Sequence, residues 1–266
     1  MANYLIGFIG CGNMGGALVR AAAKSVDGKQ IALCDHNERK TQTLASECGA
    51  SVLSAQEIAK NCHFIVLGVK PQKMQETIAS IACELKQNES AVLITMAAGL
   101  SIAAIRCFAG ADLPVIRIMP NTPAQVGEGM ILYDTLGVSD EDEQAFLNCF
   151  QKAGVLDKLP EEKIDAASAL SGCGPAFVYA FAQALIDGAV ECGVPSDKAT
   201  TYTAQTLLGA AKMLLAYGDP ENLINAVCSP NGTTIEGIHA LENADFKNVA
   251  AGAVRAAYKR TLELKK

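Results

Sequence analysis

Six residues near the start constrain the fold of this chain more than any others. Gly10-Cys11-Gly12-Asn13-Met14-Gly15 stands directly after the apolar run Leu5–Ile9 and opens the helical run Ala17–Ala23. Glycines at that spacing between a strand and a helix have separate tasks. The first makes a tight turn, the second lets backbone approach a pyrophosphate, and the third lets helix and strand pack closely, with the helix N-terminus turned towards the phosphates. The bland alternative is a glycine turn without a ligand. Asp35, at the end of the next strand candidate, favours the ligand, because a carboxylate about 20 residues beyond the third glycine accepts from an adenosine ribose 2′-hydroxyl and selects NAD over NADP. His36, Arg39 and Lys40 follow it. They form either a cationic patch for a 2′-phosphate or a solvated helix face.

The strand-turn-helix pattern repeats. Leu5–Ile9, Ile31–Cys34, Phe64–Val69, Val92–Met96 and Val115–Met119 read as strands, most of them continuously apolar, as expected where helices cover both faces of a parallel sheet. Between them Asn37 and Ser101 are placed to cap helices that Gly49 and Gly110 close, and Ser139 precedes four acids at a helix N-terminus. From about Glu161 the strand-like runs stop. Helical segments follow at 161–171, 175–192, 196–216, 219–227, 233–243 and 245–265, with Gly193-Val194-Pro195 and Tyr217-Gly218-Asp219-Pro220 as stops. These patterns predict an α/β fold: a doubly wound Rossmann domain over 1–160 and an all-helical domain over 161–266.

Ala176–Ala189 is apolar nearly all round, too apolar for a helix with one solvated face. A helical domain this small cannot hide many such surfaces alone, so it is expected to dimerise through them. The longest apolar stretch, Pro175–Ile186, is shorter than the ~18 residues of a membrane span, so no membrane partner is expected. The net charge of −6 and the absence of Trp give no support for a nucleic-acid partner. Ten cysteines are scattered singly, with no CxxC pair. They read as small fillers in a reducing compartment and not as metal ligands. The start, Met1-Ala2-Asn3-Tyr4, has no basic stretch of the kind that opens a signal peptide, and a cytoplasmic location is expected.

Further candidates sit at strand ends, where ligands of open α/β sheets bind. Val69-Lys70-Pro71 and Ala97-Ala98-Gly99 allow close approach to a nicotinamide ribose, and Lys70 is a general acid, a phosphate contact or a positioning residue. Met119-Pro120-Asn121-Thr122-Pro123 is either a plain rigid turn or one that also touches cofactor, the second being expected. In the helical half, Ser229-Pro230-Asn231-Gly232-Thr233-Thr234 precedes a helical run. By spacing it is an ordinary cap before it is an anion site built from backbone N–H groups. Leu170–Ala176 is explained by tight packing alone.

The ordered set GFIGCGNMGGA, LGVKPQ, MAAGLS, RIMPNTPAQVGEGM, ALSGCGPAFVYAF and SPNGTTIEG resembles the pyrroline-5-carboxylate reductases over essentially the whole chain. The last two motifs are the specific ones. The resemblance implies an NADPH- or NADH-dependent oxidoreductase that transfers hydride to the C=N bond of 1-pyrroline-5-carboxylate, giving L-proline in the last step of proline biosynthesis. It implies a homodimer interlocked through the helical domain, with larger rings such as decamers built from dimers. It also reverses the reading of the Ser/Thr turn: Ser229, Gly232, Thr233 and Thr234 become substrate contacts, with the Thr234 hydroxyl against the ring nitrogen as the catalytic group. Gly10, Cys11, Gly12, Asn13, Met14, Asp35, Val69, Lys70, Pro71, Ala97, Ala98 and Gly99 become cofactor contacts, and no metal is implied. Two positions depart from the family pattern. Asn231 replaces one of two adjacent glycines, and Asp35 stands where NADP-using members commonly carry a neutral side chain.

Two rival readings are weaker. A 3-hydroxyacid dehydrogenase of similar layout needs a lysine on its first long helix of the second domain, and Pro175–Val190 contains none. A silent nucleotide sensor would have no use for the substrate turn.

Overall fold

The computed structural model describes residues 3–264. Eight strands form one sheet: β1 (Tyr4–Ile9), β2 (Ile31–Cys34), β3 (Ser51–Val52), β4 (Cys62–Leu67), β5 (Val92–Thr95), β6 (Val115–Met119), β7 (Gly129–Leu136) and β8 (Gly154–Lys158), in the order β3-β2-β1-β4-β5-β6-β7-β8. The first six run parallel. β7 pairs antiparallel with β6, and β8 parallel with β7, so the sheet is mixed where a parallel one was expected. The short connection through Thr122–Val126 is a single 3-10 turn, too short for the crossover that a parallel neighbour needs.

Helices cover both faces, and the continuous apolar strands divide between them. Phe64 and Val66 of β4 join the core with Leu18 and Val19 of α1 (Asn13–Ala22), Leu44 of α2 (Glu38–Cys48), and Phe146 and Phe150 of α7 (Asp140–Phe150). Ile65 and Leu67 face the other way. They pack with Ile58 of α3 (Ala55–Asn61), Ile78 of α4 (Met74–Ser80), Leu85 of α5 (Ala82–Gln87) and Ile105 of α6 (Ile102–Ala109). Period-2 alternation onto two buried faces is why these strands read as unbroken hydrophobic runs.

The expected caps form. Asn37, Ser101 and Ser139 side chains accept from the backbone N–H of Lys40, Ala104 and Asp142, and Gly49 and Gly110 close α2 and α6 at φ 67° and 59°. Several boundaries differ from the reading of the sequence. The strand expected at Phe64–Val69 runs over Cys62–Leu67: the Gly68 N–H makes the last bond to β1, at the Ile9 carbonyl, and Pro71 then begins a 3-10 turn. The helix expected from Ala17 starts at Asn13, so Gly15 and Gly16 lie inside it. β3, β7, β8, α3, α4 and α5 are additional to the elements foreseen. β8 exposes alternate residues and carries Asp157 and Lys158, so it lacks the apolar signature of its neighbours.

The helical part comprises α8 (Glu161–Ser171), α9 (Gly174–Glu191), α10 (Ser196–Tyr217), α11 (Pro220–Val227), α12 (Thr233–Asn243) and α13 (Phe246–Leu264). Packing divides the chain after Cys173: residues up to there, with the stretch from Ala257, form one compact unit, and Gly174–Ala256 the other. The change of sequence pattern near 160 and the change of packing thus fall at different places. The reason lies in α8. The guanidinium of Arg117 on β6, 2% exposed, donates to Asp165 at 2.6 Å and to Glu161 at 3.1 Å, and Glu161 also accepts from the Ile102 N–H at 2.7 Å. Buried charges must be paired, and this cluster ties α8 to the sheet.

Within the second unit α9 packs against α10, and Ala199 and Thr203 are its buried residues among those described. Large apolar side chains such as Tyr179, Leu215 and Val227 are exposed. By length and composition Glu161–Glu191, with a mean hydropathy of 1.4, is long and apolar enough to cross a membrane, a longer stretch than the Pro175–Ile186 run suggested. Gly172 and Cys173 break it into α8 and α9.

Candidate active site

Ile9, Cys34, Leu67 and Thr95 pair in register across β2, β1, β4 and β5, so the loops that follow these strands all leave from one edge. Strand order reverses direction between β1 and β4, the switch point at which such sheets hold ligands. Gly10 lies there at φ 102°, and its N–H donates to the Cys34 carbonyl at 2.8 Å. A Cβ at Gly10 would stand 2.6 Å from the Gly68 carbonyl carbon, and one at Gly15 would collide with the Gly10 carbonyl oxygen. Those two glycines are required by the protein's own packing.

Gly12 differs from both. A Cβ there would meet nothing within 4 Å, so no protein neighbour accounts for a glycine at that position. Gly12 is also the N-cap of α1, no side chain caps the helix, and no acid occupies its first turn. Open backbone N–H groups and the positive end of the helix dipole thus face an empty approach, which suits a pyrophosphate. Cys11, Gly12 and Asn13 line a cleft of about 600 Å³ whose other wall includes Asn37, Arg39 and Lys40. These residues fit a dinucleotide.

Asp35 is not part of the cleft's lining, and its side chain is 10% exposed. Its carboxylate accepts from the Cys11 N–H at 2.7 Å and the Asn37 N–H at 2.9 Å, and His36 Nδ1 lies 2.9 Å away. The residue expected to read a ribose is therefore engaged by its own turn. Burial first, and the Asp35 charge second, push the Cys11 thiol up to about 12. Arg20, also on the cleft, is held in two hydrogen bonds by Glu47. Among the described residues Arg39 and Lys40 enter no ion pair. Gln125 of the 3-10 turn, which packs against α1, completes the lining. It carried no sequence signal, since the turn comes from a distant part of the chain.

The remaining strand-end candidates stand where the sheet puts them. Lys70 is exposed, with extended backbone (φ −62°, ψ 147°), and leads into the turn begun by Pro71. Ala97 is buried, its N–H 3.3 Å from Thr95 Oγ1, Ala98 is exposed, and Gly99 turns at φ 79°. Asn121 is committed to the protein: its amide donates to the Ser171 carbonyl and accepts from the Met130 N–H, both at 2.9 Å. The Asn121 amide thus latches the β6–β7 connection to the end of α8.

In the second unit, Asn231 adopts φ 58° and Gly232 is the N-cap of α12. No side chain caps this helix either, so the ordinary-cap reading of the Ser/Thr turn fails. Thr233 and Thr234 occupy the first two helical positions and are exposed. The Gly232 N–H donates to the Ser229 carbonyl at 3.0 Å, and a Cβ at 232 would strike the Ser229 hydroxyl. The left-handed position at 231 is one that Asn tolerates better than most residues, which is why Asn-Gly serves here in place of two glycines.

Residues 161–264 match the family model described as pyrroline-5-carboxylate reductase dimerisation, and 5–99 match NADP oxidoreductase, coenzyme F420-dependent. A pyrroline-5-carboxylate reductase 3 from Danio rerio is 39% identical over 97% of this chain and 91% of its own length. The chain belongs to the pyrroline-5-carboxylate reductase family. Another member of that family, from Glycine max, is 36% identical over 98% of this chain and 96% of its own. A crystal structure of the Plasmodium falciparum pyrroline carboxylate reductase with NADP bound superposes with a TM-score of 0.89 at 30% identity and covers both chains fully. The family model over 161–264 gives the helical part its role, dimerisation.

Proposed function

We propose that this protein reduces 1-pyrroline-5-carboxylate to L-proline with NADPH or NADH, the final step of proline synthesis. The carrying observation is the open N-terminus of α12: a glycine-led start without a side-chain cap, preceded by Asn231 at φ 58° and followed by two exposed threonines. Backbone N–H groups at such a start bind a carboxylate without net positive charge, in keeping with a chain of charge −6. Ser229, Gly232 and Thr233 hold the substrate carboxylate. Thr234 orients the ring through its hydroxyl, which accepts from the N–H of the protonated imine and can donate to the amine nitrogen once hydride has reached the carbon. An iminium nitrogen is a strong electron sink, so no strong side-chain acid is needed, and the protein's part is orientation and electrostatics.

The bound nicotinamide cofactor supplies the hydride that reduces the C=N bond. Gly10, Cys11, Gly12, Asn13 and Met14 hold its pyrophosphate at α1, while Val69-Lys70-Pro71 and Ala97-Ala98-Gly99 border its nicotinamide half. Dimers join into larger rings, a decamer, in the cytoplasm, with neither membrane nor nucleic acid as partner; the net charge of −6 supports the last point. The test is oxidation of NADPH or NADH followed as 1-pyrroline-5-carboxylate is varied from below KM to saturation, with Thr234→Ala beside the wild type. The variant should keep its melting temperature and lose about tenfold to a thousandfold in kcat/KM. A wild type without turnover would overturn the function, and an unimpaired variant would overturn the role of Thr234.

A further inference from the structure

We propose that the cleft between the first turns of α1 and α2 is a site for a phosphate on the adenosine ribose, read by Arg39 and Lys40, and that Asp35 is a positioning residue for the glycine turn. The proposal rests on the dinucleotide reading above and adds which ribose the site selects. Asp35 by residue type points to an unphosphorylated ribose. Its geometry points elsewhere. Both oxygens of its carboxylate accept from backbone, Oδ2 from the Cys11 N–H and Oδ1 from the Asn37 N–H, with His36 Nδ1 2.9 Å from Oδ1. These contacts join the end of β2 to the turn after β1. The carboxylate thereby fixes the orientation of Cys11 and the free N–H groups beyond it.

The opposite wall of the cleft is cationic. Arg39 and Lys40 line it, both exposed and without a partnering acid among the described residues, whereas Arg20 is already neutralised by Glu47. Both follow Asn37, whose side chain caps α2, so the positive end of that helix dipole adds to their field. Glu38, the acid of the first turn of α2, is not part of the lining. A guanidinium and an ammonium at the mouth of a 600 Å³ cleft match the geometry and charge of a phosphomonoester. A ribose hydroxyl would leave both cations unused.

Calorimetric titration of the protein with 2′,5′-ADP and with 5′-AMP, which differ only by the ribose 2′-phosphate, separates the two ribose forms without any turnover. The wild type should prefer 2′,5′-ADP by about tenfold or more, as expected for charge-assisted contacts to one added phosphate. In Arg39→Ala/Lys40→Ala that preference should shrink to within about threefold, and these exposed positions leave folding intact. Asp35→Asn should weaken both nucleotides together. Equal or tighter binding of 5′-AMP by the wild type overturns the proposal, as does a preference for 2′,5′-ADP that rises about tenfold in Asp35→Asn by relief of like-charge repulsion. Binding of neither nucleotide would overturn the dinucleotide site itself. Should Asp35→Asn fail to fold, the Arg39/Lys40 variant still decides.

Discussion

At the scale of single residues, the three glycines of the first turn are not equivalent, and the difference lies in what each Cβ would touch. Gly10 and Gly15 are packed against backbone, while Gly12 faces open space. Gly15→Ala should therefore lower the melting temperature, because backbone cannot swing aside as a side chain can. Gly12→Ala should melt like the wild type and bind 2′,5′-ADP at least about tenfold more weakly, the cost of a methyl where phosphate must approach backbone. Equal destabilisation by the two would show that both glycines serve packing alone. The cysteines divide in the same way. Burial holds the thiols of Cys62 and Cys149 up at about 12 and about 11, and that of Cys11 at about 12, whereas Cys83 and Cys107 are exposed. Since the thiolate is the nucleophile, iodoacetamide at neutral pH should modify Cys83 and Cys107 first and Cys11 slowly, as read by peptide mass spectrometry.

At the scale of elements, the Arg117 cluster decides where α8 belongs. Removing one member of a buried pair leaves the other charge uncompensated, which costs about 3–5 kcal/mol, while replacing both by apolar residues is often neutral. Arg117→Met should therefore be severely destabilised in urea unfolding, and Arg117→Met/Asp165→Leu should recover much of the loss. Additive losses would mean that the pair does not act as a unit. A helix cap is worth less: Ser139→Ala removes the acceptor for the Asp142 N–H, a loss of about 1 kcal/mol. Caps such as this one were legible because the signal is local. The Arg117 cluster was not, for it joins residues from β6 and α8 that are far apart in the chain, and nothing near Arg117 in sequence marks it as buried.

At the scale of the whole molecule, the second unit cannot be stable as a lone chain. Leu215 is 86% exposed, Tyr217 68% and Val227 66%, and helices with so much apolar surface in water lack the burial that offsets chain ordering. Burial against a second copy supplies it, as the family's dimerisation model over 161–264 requires. The melting temperature should accordingly rise with protein concentration. A value constant over a hundredfold dilution, with a monomer in light scattering, would contradict this.

The sequence by itself determined the local and repeating features. It set the glycine turn with its strand and helix, the apolar strands of a two-faced sheet, the Asn37, Ser101 and Ser139 caps, and the passage from α/β to helices near 160. Each rests on residues adjacent in the chain, or on a period of two or 3.6 that neighbours alone define. Tertiary structure decided the rest, because it depends on which distant groups meet. Only the fold shows the reversal at β7, the passage of α8 into the first unit through Arg117, and the Asn121 latch. Only the fold shows that α12 begins uncapped. It also turns Asp35, by type a reader of ribose, into the fastening of the glycine turn, because the Cys11 and Asn37 N–H groups lie within 2.9 Å of its oxygens.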